Sequence, residues 1–568
     1  LDEANLISQK TLDSLLILFK KFFGKIIILG EENNNLDIKK HVVDVMAEKD
    51  TLHLIIKPFL YAKRKKLISN ILTCSKGSEC NVEKETKKLN ELINMQVKYF
   101  NLNPEFIINF VRQYEKDYGF QFGSGMNVFN MVYESSIRNR IIENAEEIDA
   151  IIVSNILRDL AYYMHFQKKK IVSEKEVIQV IEEYAKTYRQ KVKISSFLRV
   201  AIEAKILDED DNGICFKDHT IVAYFVAQAL NQKYNQGDNI QGECDYLLKN
   251  LCFGINSDII LFLAFVTSNP KFVNMIIEGA KKHFEGQEEL SFDKGNIKFL
   301  LNTTVPTKDT APDKQEIQRR EVELSKREEE EIRLTDLVEL VNEYDYSEED
   351  LEKTENQIMI SYKYLDILSK TLPAFCQNLK ADKQDKIVLL IYKCTNQFLF
   401  SMLKDIEDNF DEICTILCDK ISSLRREKNV PEVTKGNVKS MLEQISALFI
   451  IAIYQNTAAM CTTEQTIDAL NEFDYNGNSN YKLQNLMMLL QYGDVSIFFK
   501  RSRELDAEMN RKLEKDIIKI AVREFFLRNS VELHGMGQSL MDHFFDENTE
   551  RKLKMEIAKK KIAQKDRI

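Results

Sequence analysis

Residues Gly213–Leu230, GICFKDHTIVAYFVAQAL, change hydrophobic period in mid-course, and that change limits what the chain can fold into. Ile214, Cys215 and Phe216 form a short apolar run after the acidic turn cluster Asp208–Gly213, which is the pattern of a strand. From His219 onward Ile221, Val222, Phe225, Val226 and Ala229 keep helical spacing. A strand that breaks at Lys217–Asp218–His219 and runs straight into an apolar helix puts these polar side chains at a helix N-terminus. The first turn there carries unpaired N–H groups and the positive end of the dipole, which suits an anion. Asp218 is placed to cap that helix.

Outside this stretch the pattern is mainly helical. Glycine and proline are scarce, 18 and 7 among 568 residues, so few positions can interrupt a helix. From Val82 helical spacing is nearly continuous. Pro104 stands at the start of a helix bearing Phe106, Ile107, Phe110, Val111 and Tyr114. A glycine-rich loop at Asp117–Asn127 precedes amphipathic runs at Val128–Asn139, Ala150–Phe166, Glu174–Arg189 and Ile194–Lys205. Helices followed by a turn and a short strand give residues 151–235 the order of a winged-helix module. Beyond it, Asn302–Gln315 has linker composition, and Glu316–Glu343, with Glu328–Glu331 in a row, predicts a solvated bridging helix. From Asn356 to Arg528 successive amphipathic helices are separated by breaks such as Pro373 and Asn429–Pro431. No fixed repeat period occurs, so the expectation is an irregular α-helical array that offers extended surfaces.

The opening residues read differently. A helical pattern at Leu12–Phe19 stops at Gly24, and Lys25–Gly30 has the unbroken β-branched content of a buried strand. A short helix at Asp37–Ala47 and a strand at Leu52–Lys57 follow. Asp2 and Glu3 precede this α/β unit. An acidic pair so placed has the layout that follows a Walker B strand, where the Asp holds Mg²⁺ and the Glu positions water. No GxxxxGK[ST] loop occurs in the 568 residues, so this chain alone is not expected to hydrolyse ATP or to bind it tightly. Residue 1 is Leu, which leads us to expect that an N-terminal part is missing.

Charge and cysteines exclude other classes. The formal charge of −10 opposes broad nucleic-acid binding, and the helix Ile194–Lys205 sets Glu203 beside Arg199 and Lys205 rather than a base-reading face. The ten cysteines include no CxxC pair, so buried free thiols in a reducing cytoplasm are expected rather than zinc. Ile255–Val266, the most apolar run, is too short to span a membrane, and no secretory signal is present. The expected location is cytoplasmic.

Phe216–Lys217–Asp218–His219, with Thr220, Ile221, Tyr224–Phe225 and Ala227, resembles the F-x-H-x-(T/S)…E-Y-F-x-A segment of STAND-class NTPases. These are the NACHT- and NB-ARC-like signalling ATPases of the AAA+ group. Asn103–Pro104–Glu105–Phe106–Ile107 resembles the proline motif that opens their helical domain. Tyr364–Leu379 with Lys383–Phe400 is loosely similar to a helical segment of large bacterial members, several of which act in antiviral defence. The resemblance implies that His219 contacts the diphosphate of the ADP-held state, that Pro104 lies near the base, and that Asp2 and Glu3 end the Walker B strand, with Asp2 on the metal. In strict register Asp218 occupies the family histidine and His219 follows it. Ala223 replaces the family Glu, and Glu31–Glu32 stand where a sensor arginine often lies.

The expected organisation follows from these pieces. Residues 1–80 are the end of a P-loop α/β domain, 81–150 a helical domain and 151–235 the winged-helix module. Residues 236–301 are a helical connector, 302–347 a linker with a charged helix, and 348–568 a helical sensor and oligomerisation array. The implied function is the regulatory and sensor portion of a STAND-type signalling ATPase. ATP or ADP with Mg²⁺ would serve the full-length protein, and an activating protein ligand, a viral one among the candidates, would bind the C-terminal helices and promote self-association. No membrane or nucleic-acid partner is expected. The alternatives are a non-enzymatic helical scaffold and a winged-helix transcriptional regulator.

Overall fold

A computed structural model describes residues 9–23, 26, 59–76, 82–94, 104–116, 125–210, 213–267, 270–307, 316, 319–320, 322–326, 328–329, 348–376, 379–427, 431–463, 465–472, 477–492, 495–528 and 543–545. Residues 1–58 and 59–568 form two compact units. In the first, helix α1 (Gln9–Phe22) buries Leu16 and closes on an edge-to-face contact of Phe19 with Phe23. The strands expected at Lys25–Gly30 and Leu52–Lys57 lie outside the described residues, Ile26 excepted.

Among the described residues the second unit is mainly α with one small sheet. It opens with α2 (Tyr61–Lys76), α3 (Val82–Asn94), α4 (Pro104–Lys116), α5 (Gly125–Asn144) and α6 (Ala150–Phe166). Strand β1 (Ile171–Val172), α7 (Glu174–Tyr188), α8 (Ile194–Glu203), β2 (Leu207–Asp210) and β3 (Gly213–Phe216) follow. Then come α9 (His219–Gln236), α10 (Gln241–Lys249), α11 (Asn256–Val266) and α12 (Pro270–His283). The C-terminal helices are α13 (Glu348–Glu352), α14 (Thr354–Phe375), α15 (Ala381–Asp408), α16 (Phe410–Glu427), α17 (Lys435–Cys461), α18 (Ile467–Glu472), α19 (Ser479–Tyr492), α20 (Val495–Glu508) and α21 (Lys512–Arg528).

The sheet order is β1-β3-β2, antiparallel throughout. Asp208, Glu209 and Asp210 pair with Cys215, Ile214 and Gly213, so the acidic cluster read as a turn is largely a strand. An edge strand tolerates such residues, and the Asp208 and Glu209 side chains are exposed. Two other boundaries move. Helix α5 starts at Gly125, inside the expected loop, and α14 runs through Pro373 to Phe375. Pro373 lies in the last turn of α14, where its missing N–H costs a single hydrogen bond.

One continuous apolar core joins the helices from α2 to α21, and a satellite core of Cys414, Val438 and Leu442 holds α16 against α17. The connector after α12 is fixed by buried polar groups. The Leu290 and Phe292 amides donate to the Asn396 carbonyl (2.9 Å) and Asn480 Oδ1 (2.8 Å), and Gln397 Nε2 donates to the carbonyls of Phe284 (3.1 Å) and Gln287 (2.9 Å). Among its described residues the charged segment is held by ion pairs at Glu316, Arg320 and Glu328, while Glu323, Lys326 and Glu329 are exposed; residues 330–343 lie outside the described residues. Glu328 is 2 % exposed and pairs with Arg64, itself fully buried, and it accepts from the Tyr61 amide at 2.6 Å. Earlier in the segment, Arg320 pairs with Glu524 and Glu316 with Arg523 at 2.5 Å, so the segment ties α2 to α21.

One buried and one half-buried histidine give the unit a pH dependence. His165 on α6 and His283 on α12 are both pushed down to about 4, chiefly by burial. His283 lies 2.8 Å from Ser361 Oγ and stacks on Tyr364. Because the folded pKa lies below the unfolded value, the unfolded chain binds more protons between pH 6.5 and 4. Stability therefore falls as the pH drops through that window. His165 alone is expected to cost about 2 kcal/mol between pH 7 and 5, and His165→Gln should flatten that slope in urea titrations.

Candidate functional site

The site is built where the sheet feeds α9. The Lys217 amide donates to the Ile206 carbonyl at 3.0 Å, closing the β2–β3 ladder. The chain then turns at Asp218, the N-cap, whose Oδ1 accepts from the Thr220 amide at 2.6 Å. His219 is the first residue of α9. Its side chain is 40 % exposed, with Nδ1 3.8 Å from Asp218 Oδ1 and Nε2 3.3 Å from Thr220 Oγ1.

Behind this exposed turn α9 is buried almost all round. Thr220, Ile221, Ala223, Tyr224, Phe225, Val226 and Ala227 are all in the core, and α9 packs against α6 and α11. Ala223 is fully buried, so a charged side chain at this point would have no place to go without desolvation. At the far end of α9, Lys233 lies over the Tyr162 ring at 3.9 Å and donates to its hydroxyl at 2.7 Å, and that hydroxyl donates to Glu243 on α10. The helix is thus clamped at its C-terminal end and exposes its N-terminal turn.

Tyr133 of α5 is the residue that sequence reading missed. It is buried against α9 and α11, edge-to-face with Tyr224 at 5.5 Å and stacked on Phe262 at 5.6 Å. Burial, with the nearby Asp218 charge adding to it, pushes its hydroxyl well above the usual tyrosine range. Arg140, two turns along α5, donates to the Lys205 carbonyl at 3.4 Å. One helix therefore reaches both the buried middle of α9, at Tyr224, and the segment entering β2. Helical periodicity placed Tyr133 on a helix; only the tertiary fold places it against Tyr224 of α9.

Gly213 fixes the geometry of the sheet. Its φ is +135°, and a Cβ there would lie 2.5 Å from the Val172 carbonyl oxygen across the ladder. Gly213→Ala is expected to destabilise the unit by about 2 kcal/mol, measured by urea unfolding, because both the backbone and the β1–β3 contact must shift.

The other expected site residues are distributed. Pro104 is exposed at the first position of α4, a separate element from α9. Asp2 and Glu3 lie outside the described residues. Helix α8 does not offer a free basic face. Glu147 lies 3.5 Å from Lys193 and 3.8 Å from Arg199, and the Ser196 hydroxyl donates to it at 3.1 Å. The Ser196 hydrogen bond, then Lys193 and Arg199, hold its carboxyl below the usual range.

Residues 170–226 match the family model described as Novel STAND NTPase 4. The match supports a STAND NTPase family. It starts at β1, spans the whole β1-β3-β2 sheet and ends inside the buried half of α9, so the matched STAND segment is the element that builds this site. No curated protein and no solved structure matches the chain. Of the described residues, one helix, Lys435–Cys461, is long and apolar enough to cross a membrane, and 56 % of its most apolar window is buried. No group of three or more potential metal ligands occurs among the described residues.

Proposed function

We propose that this chain is the regulatory and sensor portion of a STAND-type signalling ATPase, of the kind used in bacterial antiviral defence, in which nucleotide state controls opening and self-association. The coincidence of the STAND match with a three-stranded sheet that runs straight into α9 carries the reading. The helix–strand–helix–helix–strand–strand order of residues 150–216 supports a winged-helix module there. Residues 348–568 would be the sensor array for an activating protein ligand, a viral one among the candidates.

The half-exposed His219 imidazole fits one contact to an anion over the first turn of α9. Asp218 does not fit such a contact, because its carboxylate repels an anion and already fills the Thr220 amide. Bound ADP supplies a diphosphate that an imidazole N–H can hydrogen-bond. Asp2 would hold Mg²⁺, Glu3 would position water, and Pro104 would lie beside the base, with a phosphate-binding loop of the GxxxxGK[ST] type that these 568 residues do not contain. His219 fixed by an anion would fix the start of α9. Tyr133, packed against Tyr224 farther along the same helix, would pass its position to α5 and the helical domain.

Calorimetric titration of the full-length protein with ADP and Mg²⁺ is expected to show saturable binding. Absence of binding would return the chain to a second reading, a helical scaffold for protein–protein interaction, which Asp218 on the same turn and the buried Ala223 favour. A transcriptional regulator finds no such support, because Glu147 sits against the basic residues of α8.

A further inference from the structure

Helix α17 buries one face in the core and carries a narrow stripe to water on the other. Met441, Ile445 and Leu448 are 37 %, 52 % and 48 % exposed, and Asn437, Ala452 and Asn456 continue the same stripe. The steps along it are four, four, three, four and four residues, the spacing of a helix-packing seam rather than of scattered surface residues. Between Ser440 and Cys461 the sole charged residue is Glu443.

This spacing is a palindrome. A two-fold axis between Ser446 and Ala447 sets Ile445 opposite Leu448, Met441 opposite Ala452 and Asn437 opposite Asn456 of an antiparallel copy. A long side chain then faces a short one at each end, which lets two helices close evenly. The asparagines are complementary as well. Asn437 Oδ1 accepts from Thr434 Oγ1 at 2.6 Å, which leaves its amide N–H₂ to donate outward. Asn456 Nδ2 donates to the Tyr362 hydroxyl at 3.3 Å, which leaves its Oδ1 to accept. Lys439, beside the stripe, has its ammonium over the Phe410 ring at 5.6 Å.

We propose that the exposed seam of α17 is a self-association face that takes the same seam of a second copy, antiparallel about the Ser446–Ala447 axis. A charged partner helix would bury its charges against a face with almost none to answer them. A membrane is disfavoured because more than half of the apolar window already lies in the chain's own core. The seam is about 28 Å long at helical rise, so the pairing is a weak, reversible dimer on its own. The proposal deepens the self-association part of the reading above and rests on that part alone; it involves no nucleotide.

Sedimentation equilibrium of the full chain without nucleotide, from micromolar concentration upward, tests it. The expected result is a reversible monomer–dimer equilibrium that Ile445→Lys with Leu448→Lys weakens about tenfold or more. Both positions are exposed, so the far-ultraviolet circular dichroism should stay unchanged. Mixing a chain carrying Ile445→Cys with one carrying Leu448→Cys should give a disulfide between those two positions faster than either chain links to itself, with the linked peptides identified by mass spectrometry. A chain that stays monomeric leaves the face to a different partner and overturns the proposal. A dimer that survives the lysine substitutions, or links that favour 445 to 445, overturns the face or its register. None of these failures touches the ADP titration.

Discussion

Glu328→Ala is expected to lower the stability of the second unit by about 3–5 kcal/mol, the range seen when one partner of a buried ion pair is removed. Glu328 and Arg64 are both sealed from water. The carboxylate also accepts from the Tyr61 amide at the first turn of α2, where a negative charge meets the positive end of the dipole. Arg64 donates through Nε to Asn90 on α3 at 2.7 Å, so one carboxylate organises two helices. Removing it strands the guanidinium in a site whose burial already pushes its pKa down. Replacing both partners with leucine should recover most of the loss, because the desolvation penalty of the pair disappears with its attraction. Glu329→Ala, at an exposed neighbour, is the control and should change little. Denaturant midpoints of the four proteins measure this directly.

Tyr454→Phe is expected to cost about 2–4 kcal/mol although it deletes a single oxygen. The Tyr454 hydroxyl donates to Asn396 Oδ1 at 2.7 Å and accepts from Asn480 Nδ2 at 3.1 Å, and all three residues are fully buried. Phenylalanine leaves one acceptor and one donor unmet in the core, and each carries its own desolvation penalty. The damage should spread beyond α17. Asn480 also accepts from the Phe292 amide, and Asn396 accepts from the Leu290 amide through its carbonyl. Amide hydrogen exchange is therefore expected to speed up at Leu290 and Phe292 as well as around Tyr454. A loss confined to the helix itself would mean that the network does not hold the connector.

What could be read from the sequence follows from how local each cause is. The strand-to-helix change at Gly213–Leu230 depends on residues a few positions apart, and the structure reproduces it with Asp218 as the cap. The helices of the C-terminal array were legible for the same reason. Helix α20, Val495–Glu508, was not, because its Lys500, Arg501, Arg503 and Glu504 obscure an apolar face made by Phe498, Phe499, Ser502 and Leu505. Strand β1 is two residues long and owes its existence to pairing with β3, a partner more than forty positions away. Glu328, the first of a row of glutamates in the sequence, looks solvated until Arg64 is known to face it. In the site, the strand-to-helix turn that carries His219 was legible by motif, whereas Tyr133 had no local signal because its neighbours Tyr224 and Phe262 arrive through tertiary packing.

The central claim is that the first turn of α9 reports nucleotide state through His219. The direct measurement is the ratio of ADP to ATP affinity of the full-length protein, compared with the His219→Ala variant. Losing one hydrogen bond to a charged phosphate should lower the preference for ADP about tenfold and leave ATP affinity nearly unchanged. Identical affinities for both nucleotides in the two proteins would contradict the account.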